Sequence, residues 1–373
     1  MSAKQPIKSI EKKWIIDVLS QRSPEFNKAM DVNVIIDVAV KNGLGAALFQ
    51  QLNDSKIECP DTLQSELKRA YFTNLVRNTN ISNVWKELKE ILETKKMRYI
   101  PLKGIYLSQY VYKDPTLRAM SDIDVLLTRN DADKAYNYLL KLGATSSEPD
   151  YQPDDTTTDH HLPGLTYKGV YIELHRGLFP DDSNYNIDYK DIWNNLVQQR
   201  DTVSIHPHLN LIYFCLHLYY TVKRGGLRLS WLYDFIVYSR SEEFTQCKGS
   251  FMQQLNAQNC VEPVLAMLYA AEKVFNYQFP FIDRNIYTKN IRSIEKRAIY
   301  FANNQGESST DYGYEIAIER LKNTKGFVNK LSFLKKMVFK PGNSFLSNMQ
   351  RLGLLTWRTL GMIKQKTVSF FRF

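Results

Sequence analysis

"MSDIDVLLT", residues 120–128, is the stretch on which the reading of the fold turns. Asp122 and Asp124 sit one residue apart and run straight into Val125-Leu126-Leu127. Asp is depleted in strands, yet the apolar run has the composition of a buried one. Strands send alternate side chains to opposite faces. Asp122 and Asp124 therefore share one face, and Ile123 and Val125 take the other, buried face. Like charges this close repel unless a cation lies between them, and oxygen ligands at this spacing suit Mg²⁺ with substrate phosphate. A lone Asp-x-Asp pair is more often a solvated strand end, so the surrounding stretches must carry weight.

"YIELH", residues 171–175, repeats the pattern. Glu173 and His175 alternate onto one face, Ile172 and Leu174 onto the other. If the two strands are neighbours, Glu173 completes a three-carboxylate cluster of the kind that holds metal on a transferring phosphoryl group. The alternative is a surface position paired to Lys or Arg. Upstream, Lys103 and Gly104 open a helix directly after the extended "MRYIPL". Helix N-termini attract phosphate, Gly lets the backbone come close, and Lys adds a charge. Arg118, four residues before Asp122, offers a second cationic contact.

Outward from this centre, residues 8–95 read as helical, with Asp31 a helix cap, Gly43 a stop and a long helix over 61–95. Helices are expected at 103–112 and 130–143, and a hairpin turning at Lys168-Gly169. From about 188 the chain reads as helical again, over 209–222, 227–239, 261–275 and 314–321. The expected class is α+β: a small mixed sheet core at 97–187, an N-terminal helical region at 1–96, a larger helical domain at 188–321 and a tail at 322–373.

The chain has 373 residues and a formal net charge of +10. Eleven Lys and Arg and no acidic residue fall between Lys322 and Phe373, so the remainder is near neutral. The tail can form a basic amphipathic helix suited to an anionic membrane surface. An acidic partner, nucleic acid, or simple packing of a helical end are the other readings, nucleic acid being the less favoured partner. The four cysteines lack metal spacing and suit reduced thiols, which gives a cytoplasmic expectation with peripheral membrane association as an addition. The opening "MSAKQPIKSIEKKW" has no apolar core, so no secretory signal is expected. The apolar run at 209–222 falls short of the roughly 20 residues of a membrane span and reads as a buried core helix, His217 included. "HPHLN" (206–210) reads as the entry to that helix rather than as metal ligands. No HExxH, GxSxG, GxGxxG or Walker A pattern supports a zinc hydrolase, serine hydrolase, Rossmann or P-loop protein.

The ordered set "IPLKGIYL", "DPTLRAMSDIDVLL" and "HHLPGLTYKGVYIELH" resembles the uncharacterised nucleotidyltransferase family of the DNA polymerase β-like superfamily. The turn here reads Lys103-Gly104, without the second Gly or Ser of the superfamily, and 17 residues separate Gly104 from Asp122. The resemblance implies that Asp122 and Asp124 bind Mg²⁺ (or Mn²⁺) and the phosphates of an NTP. Glu173 would bind a second metal or take the proton of an attacking hydroxyl. Lys103, Gly104 and Arg118 would hold the phosphate tail. His161, His175 and Asp234 would be substrate contacts, Asp234 alternatively pairing with Arg228. The implied reaction moves NMP from an NTP to a hydroxyl acceptor and releases pyrophosphate. The competing reading is a weak or inactive member acting as a membrane- or RNA-binding module through its tail.

Overall fold

The computed structural model describes residues 10–151, 160–181 and 183–304. The expected helix at 314–321 and the basic tail lie outside the described residues.

Four helices lead: α1 (Ile10–Leu19), α2 (Val32–Lys41), α3 (Gly45–Asp54) and α4 (Asp61–Thr94). Asp31 caps α2 by accepting from the Asn33 N–H. Such a cap satisfies one of the orphan donors of the first turn. α4 buries Leu63, Leu67, Ile81, Val84, Trp85, Leu88 and Leu92 along one stripe. That stripe also contains Asn74 and Asn78, whose role emerges at the site.

The sheet follows, with β1 (Tyr99–Pro101), β2 (Asp122–Leu127), β3 (Thr145–Ser146), β4 (Leu165–Tyr167) and β5 (Val170–His175) in the order β1-β2-β5-β4-β3. β2 and β5 pair in parallel and the other neighbours antiparallel. A parallel pair needs a crossover, here α6 (Arg129–Lys141) with β3 and β4. The β4–β5 turn places Lys168 and Gly169 at φ +49° and +76°. Both central residues of such a two-residue hairpin turn need positive φ, which Gly supplies freely. α5 (Lys103–Tyr106) runs on into a π-helical turn at Leu107–Val111.

The chain does not stay helical after residue 188. Between α7 (Tyr189–Asn194) and α8 (Pro207–Lys223) lies a hairpin of β6 (Leu196–Gln199) and β7 (Thr202–Ile205). Its turn carries Arg200 at φ +47°, followed by Asp201, not the Asn-Gly or Asp-Gly that marks such turns. Then come α9 (Leu229–Ser239), α10 (Glu242–Thr245), α11 (Phe251–Ala257), α12 (Val261–Phe275) and α13 (Lys289–Asn303). No single described helix is long and apolar enough to cross a membrane.

The two faces of the sheet meet different cores. Ile123, Val125, Leu127, Ile172 and Leu174 pack with α4 and α6. Leu126, on the carboxylate face, joins the larger core built on α8, α9 and α12. Alternation along β2 therefore turns its acidic residues toward the C-terminal helices.

α3 and α4 cross where Gly45 meets Ala70; a Cβ on Gly45 would lie 2.9 Å from the Ala70 Cβ. Gly45→Ala gains up to about 1 kcal/mol of helix propensity but overpacks this crossing at a cost of about 1–3 kcal/mol. The net expectation is a destabilised variant in urea denaturation. Adding Ala70→Gly should relieve the clash, and the double variant should lose less than the two single changes summed. Strict additivity would mean that the crossing is not the constraint.

Candidate functional site

Parallel pairing of β2 with β5 puts Asp124 directly beside Glu173 and Asp122 beside Tyr171. Asp122, Asp124 and Glu173 line one cleft of about 280 Å³ with Lys103, Gly104 and Arg118. The opposite wall comes from α8 and α9, with Phe214, His217, Leu218, Trp231 and Phe235.

Asp124 is the most constrained of the acids, at 3% exposure. Its Oδ1 accepts from Lys103 Nζ at 2.8 Å and faces His175 Nε2 at 2.9 Å. Burial would raise this carboxyl, but the Lys103 charge and the His175 hydrogen bond overcome it and hold the group well below the usual carboxylate range. Lys103 responds in kind: burial disfavours its charge, and Asp124 more than restores it. Asp122 is pushed up, by burial first and then by Asp124. Lys103 thus neutralises one of the three carboxylates and leaves a surplus of negative charge in the cleft.

That surplus fits a divalent cation. Asp124, Glu173 and His175 each bring a ligand atom within 4.8 Å of the others. Carboxylate oxygens suit Mg²⁺ or Mn²⁺. The group differs from the expected trio, because His175 enters it and Asp122, two residues back along β2, does not.

Lys103 adopts φ +42°, a backbone region that side chains seldom visit. Such strain costs about 1–3 kcal/mol and gathers at functional sites. Gly104 is fixed by crowding: an added Cβ would stand 3.0 Å from Arg118 Nη1. Arg118 is held from behind. Its Nε and Nη2 donate to Asp234 at 3.2 and 3.0 Å, and Tyr112 donates to the same carboxylate at 2.7 Å. Asn78 donates to the carbonyls of Arg118 and Pro115 at 2.8 and 2.7 Å, and Asn74 to that of Thr116.

Several expected contacts sit elsewhere. Asp234 lines the cleft, but its carboxylate is spent on Arg118 and Tyr112, and its partner is not Arg228. Arg228 instead lies over Trp231, 5.7 Å from the ring centre. His175 is buried against Asp124 and His161 bridges to the His175 backbone; neither lines the cleft. His217, read as core, is a cleft residue. Burial, then the Lys103 charge, pushes it down to about 3, so its ring is neutral. Asn74, Asn78 and Tyr112 went unnoticed in the sequence. Two Asn in the buried stripe of an amphipathic helix were the available signal, since buried amides need partners.

A mixed sheet with an acidic pair on one strand, a third carboxylate on its parallel neighbour and a Lys-Gly turn over the same cleft is a nucleotidyltransferase core. Comparison with family models agrees: residues 28–276 match the model described as "Uncharacterised nucleotidyltransferase". The chain belongs to that family, and the match extends from just before α2 through α12. No curated protein and no solved structure matches the chain.

The Arg118–Asp234 pair is almost wholly buried, with side chains 11% and 4% exposed. Removing one partner of such a pair costs about 3–5 kcal/mol, mostly from the charge left behind. Asp234→Leu should lose that much in chemical denaturation, and Asp234→Leu with Arg118→Met should recover part of it. A single-variant loss under about 1 kcal/mol would show that the pair is not what anchors Arg118.

Proposed function

We propose that the protein transfers NMP from an NTP to a hydroxyl acceptor and releases pyrophosphate. The observation that carries this reading is the pairing of Asp124 with Glu173 across parallel strands, with Asp122, Lys103 and Arg118 lining the same cleft. Family membership supports nucleotidyl transfer and an NTP substrate.

In this reading the acceptor oxygen attacks the α-phosphorus. A P–O bond forms, the α–β phosphoanhydride bond breaks and pyrophosphate leaves. Asp124 and Glu173 would hold the divalent ion, Mg²⁺ or Mn²⁺, with Asp122 reaching it from the same face of β2, and His175, against Asp124 Oδ1, would fix that carboxylate. The ion, when bound, offsets phosphate charge. Glu173, with 27% of its side chain exposed, would take the acceptor proton. Lys103 and Arg118 bind the phosphate tail, and Gly104 keeps the turn close to it. Arg118 can do so with its Nη1 edge, because Asp234 engages Nε and Nη2. Asp234 is then a positioning residue.

The test is Mg²⁺-dependent pyrophosphate release from each of the four NTPs across a panel of hydroxyl acceptors. Asp122→Asn with Asp124→Asn should lower the rate by about 100-fold or more, the scale seen when one transition-state stabiliser is lost. An unchanged rate in that variant sinks the assignment. Gly104→Ala is a subtler probe. It should leave the fold intact by circular dichroism while displacing Arg118, and so weaken NTP binding in calorimetry by about tenfold, or roughly 1.4 kcal/mol.

A further inference from the structure

The "HPHLN" stretch opens α8, with Pro207 at its first position, and the structure does more with it than that. His206 and His208 meet Cys247, which follows α10, and one ligand atom from each lies within 4.8 Å of the other two. His206 Nε2 stands 3.5 Å from Cys247 Sγ. A tetrahedral zinc centre with arms of about 2.3 Å to sulfur and about 2.0–2.1 Å to nitrogen has an S–N edge of about 3.5–3.6 Å. His208 is 5% exposed and its Nδ1 is buried with no hydrogen-bond partner, while His206 turns Nε2, not its own unpartnered Nδ1, to the sulfur. Buried polar atoms in native proteins are rarely left orphaned. His208 packs edge-on against Phe244 and Phe251, ring centres 5.3 and 5.9 Å away.

We propose that His206, His208 and Cys247 form a zinc site, separate from the carboxylate cleft, with a fourth position left to water. Two imidazoles and one thiolate are borderline and soft donors, which favour Zn²⁺ over Mg²⁺. Burial pushes both histidines down, His208 to about 4, so the rings are neutral as ligation requires. Burial pushes the Cys247 thiol up, while the His208 backbone N–H in the first turn of α8 draws it down. Zinc binding converts the thiol to a thiolate and releases its proton to solvent; nothing is oxidised or reduced.

The site would tie the β7–α8 junction to the segment after α10. The link matters for the cleft because α8 goes on to supply Phe214, His217 and Leu218. Glu243, on α10, also binds Tyr106 of α5, Tyr238 of α9 and Gln199 of β6. A metal clip at Cys247 would brace this junction of four elements.

The experiment uses the full-length protein, stripped with a chelator and titrated with Co²⁺ and then Zn²⁺. One equivalent of Co²⁺ should give the visible bands of a tetrahedral site together with a thiolate-to-metal charge-transfer band, and Zn²⁺ should bleach both. Cys247→Ser, checked for folding by circular dichroism, should lose the charge-transfer band and bind Zn²⁺ more than about tenfold more weakly, a loss that even an outer-shell change can cause. Asp122→Asn with Asp124→Asn should keep the band, which separates this site from the proposed catalytic one. Absence of the band in the parent protein, its survival in Cys247→Ser, or its loss in the aspartate variant would each overturn the proposal.

Discussion

A buried carboxylate cannot stay ionised alone, and Asp124 sets the terms for everything around it. At 3% exposure it has Lys103 and His175 on the same oxygen. Desolvating a charge costs several kcal/mol, and only close partners offset it. Those partners must arrive from different parts of the chain. Lys103 comes from the turn after β1, and His175 from the end of β5, the parallel neighbour of β2. Lys103 adopts its strained φ at that same turn, where its ammonium meets the acid. Strain, burial and strand pairing are three views of one requirement.

The requirement extends to a second layer. Arg118 carries its own buried charge, and Asp234 on α9 neutralises it while Tyr112 fills another lone pair of that carboxylate. α4 grips the backbone of the same loop through Asn74 and Asn78. The sheet, the N-terminal helices and the C-terminal helices therefore each hold part of one cationic edge. It follows that the family match should run across all three regions rather than stop at the sheet, as it does over 28–276.

What the sequence made legible was set by period. Alternation in "DIDVLL" and "YIELH" defined two faces, and a one-residue slip would have turned every acid from the cleft into the apolar core under α4 and α6, so facing followed from period. The Lys168-Gly169 turn was legible because Gly is where a positive φ is free. The β6–β7 hairpin was not, because Arg200-Asp201 carries no such mark and the strands are only four residues each. That His217, a buried helix residue, also lines the cleft was hidden for a related reason. On a helix with apolar residues all around it, periodicity cannot say which face meets solvent. The partner of Asp234 was beyond local reading, since Arg118 lies 116 residues away in the chain.

The division of labour in the cleft has a consequence for specificity in the proposed reaction. The sheet side offers charge: three acids, Lys103 and Arg118, groups suited to phosphates and a metal ion but indifferent to what lies beyond them. The helical side offers Phe214, Leu218, Trp231 and Phe235, with a neutral His217 among them. Apolar walls discriminate by shape, and a site rejects strongly only where it can leave a polar group unpaired. The neutral imidazole of His217 and the guanidinium of Arg228 over Trp231 are the polar groups on that wall best suited to the task. In the proposed reaction, choice of acceptor or base would therefore fall to α8, α9 and the loop between them, and the donor chemistry to the strands.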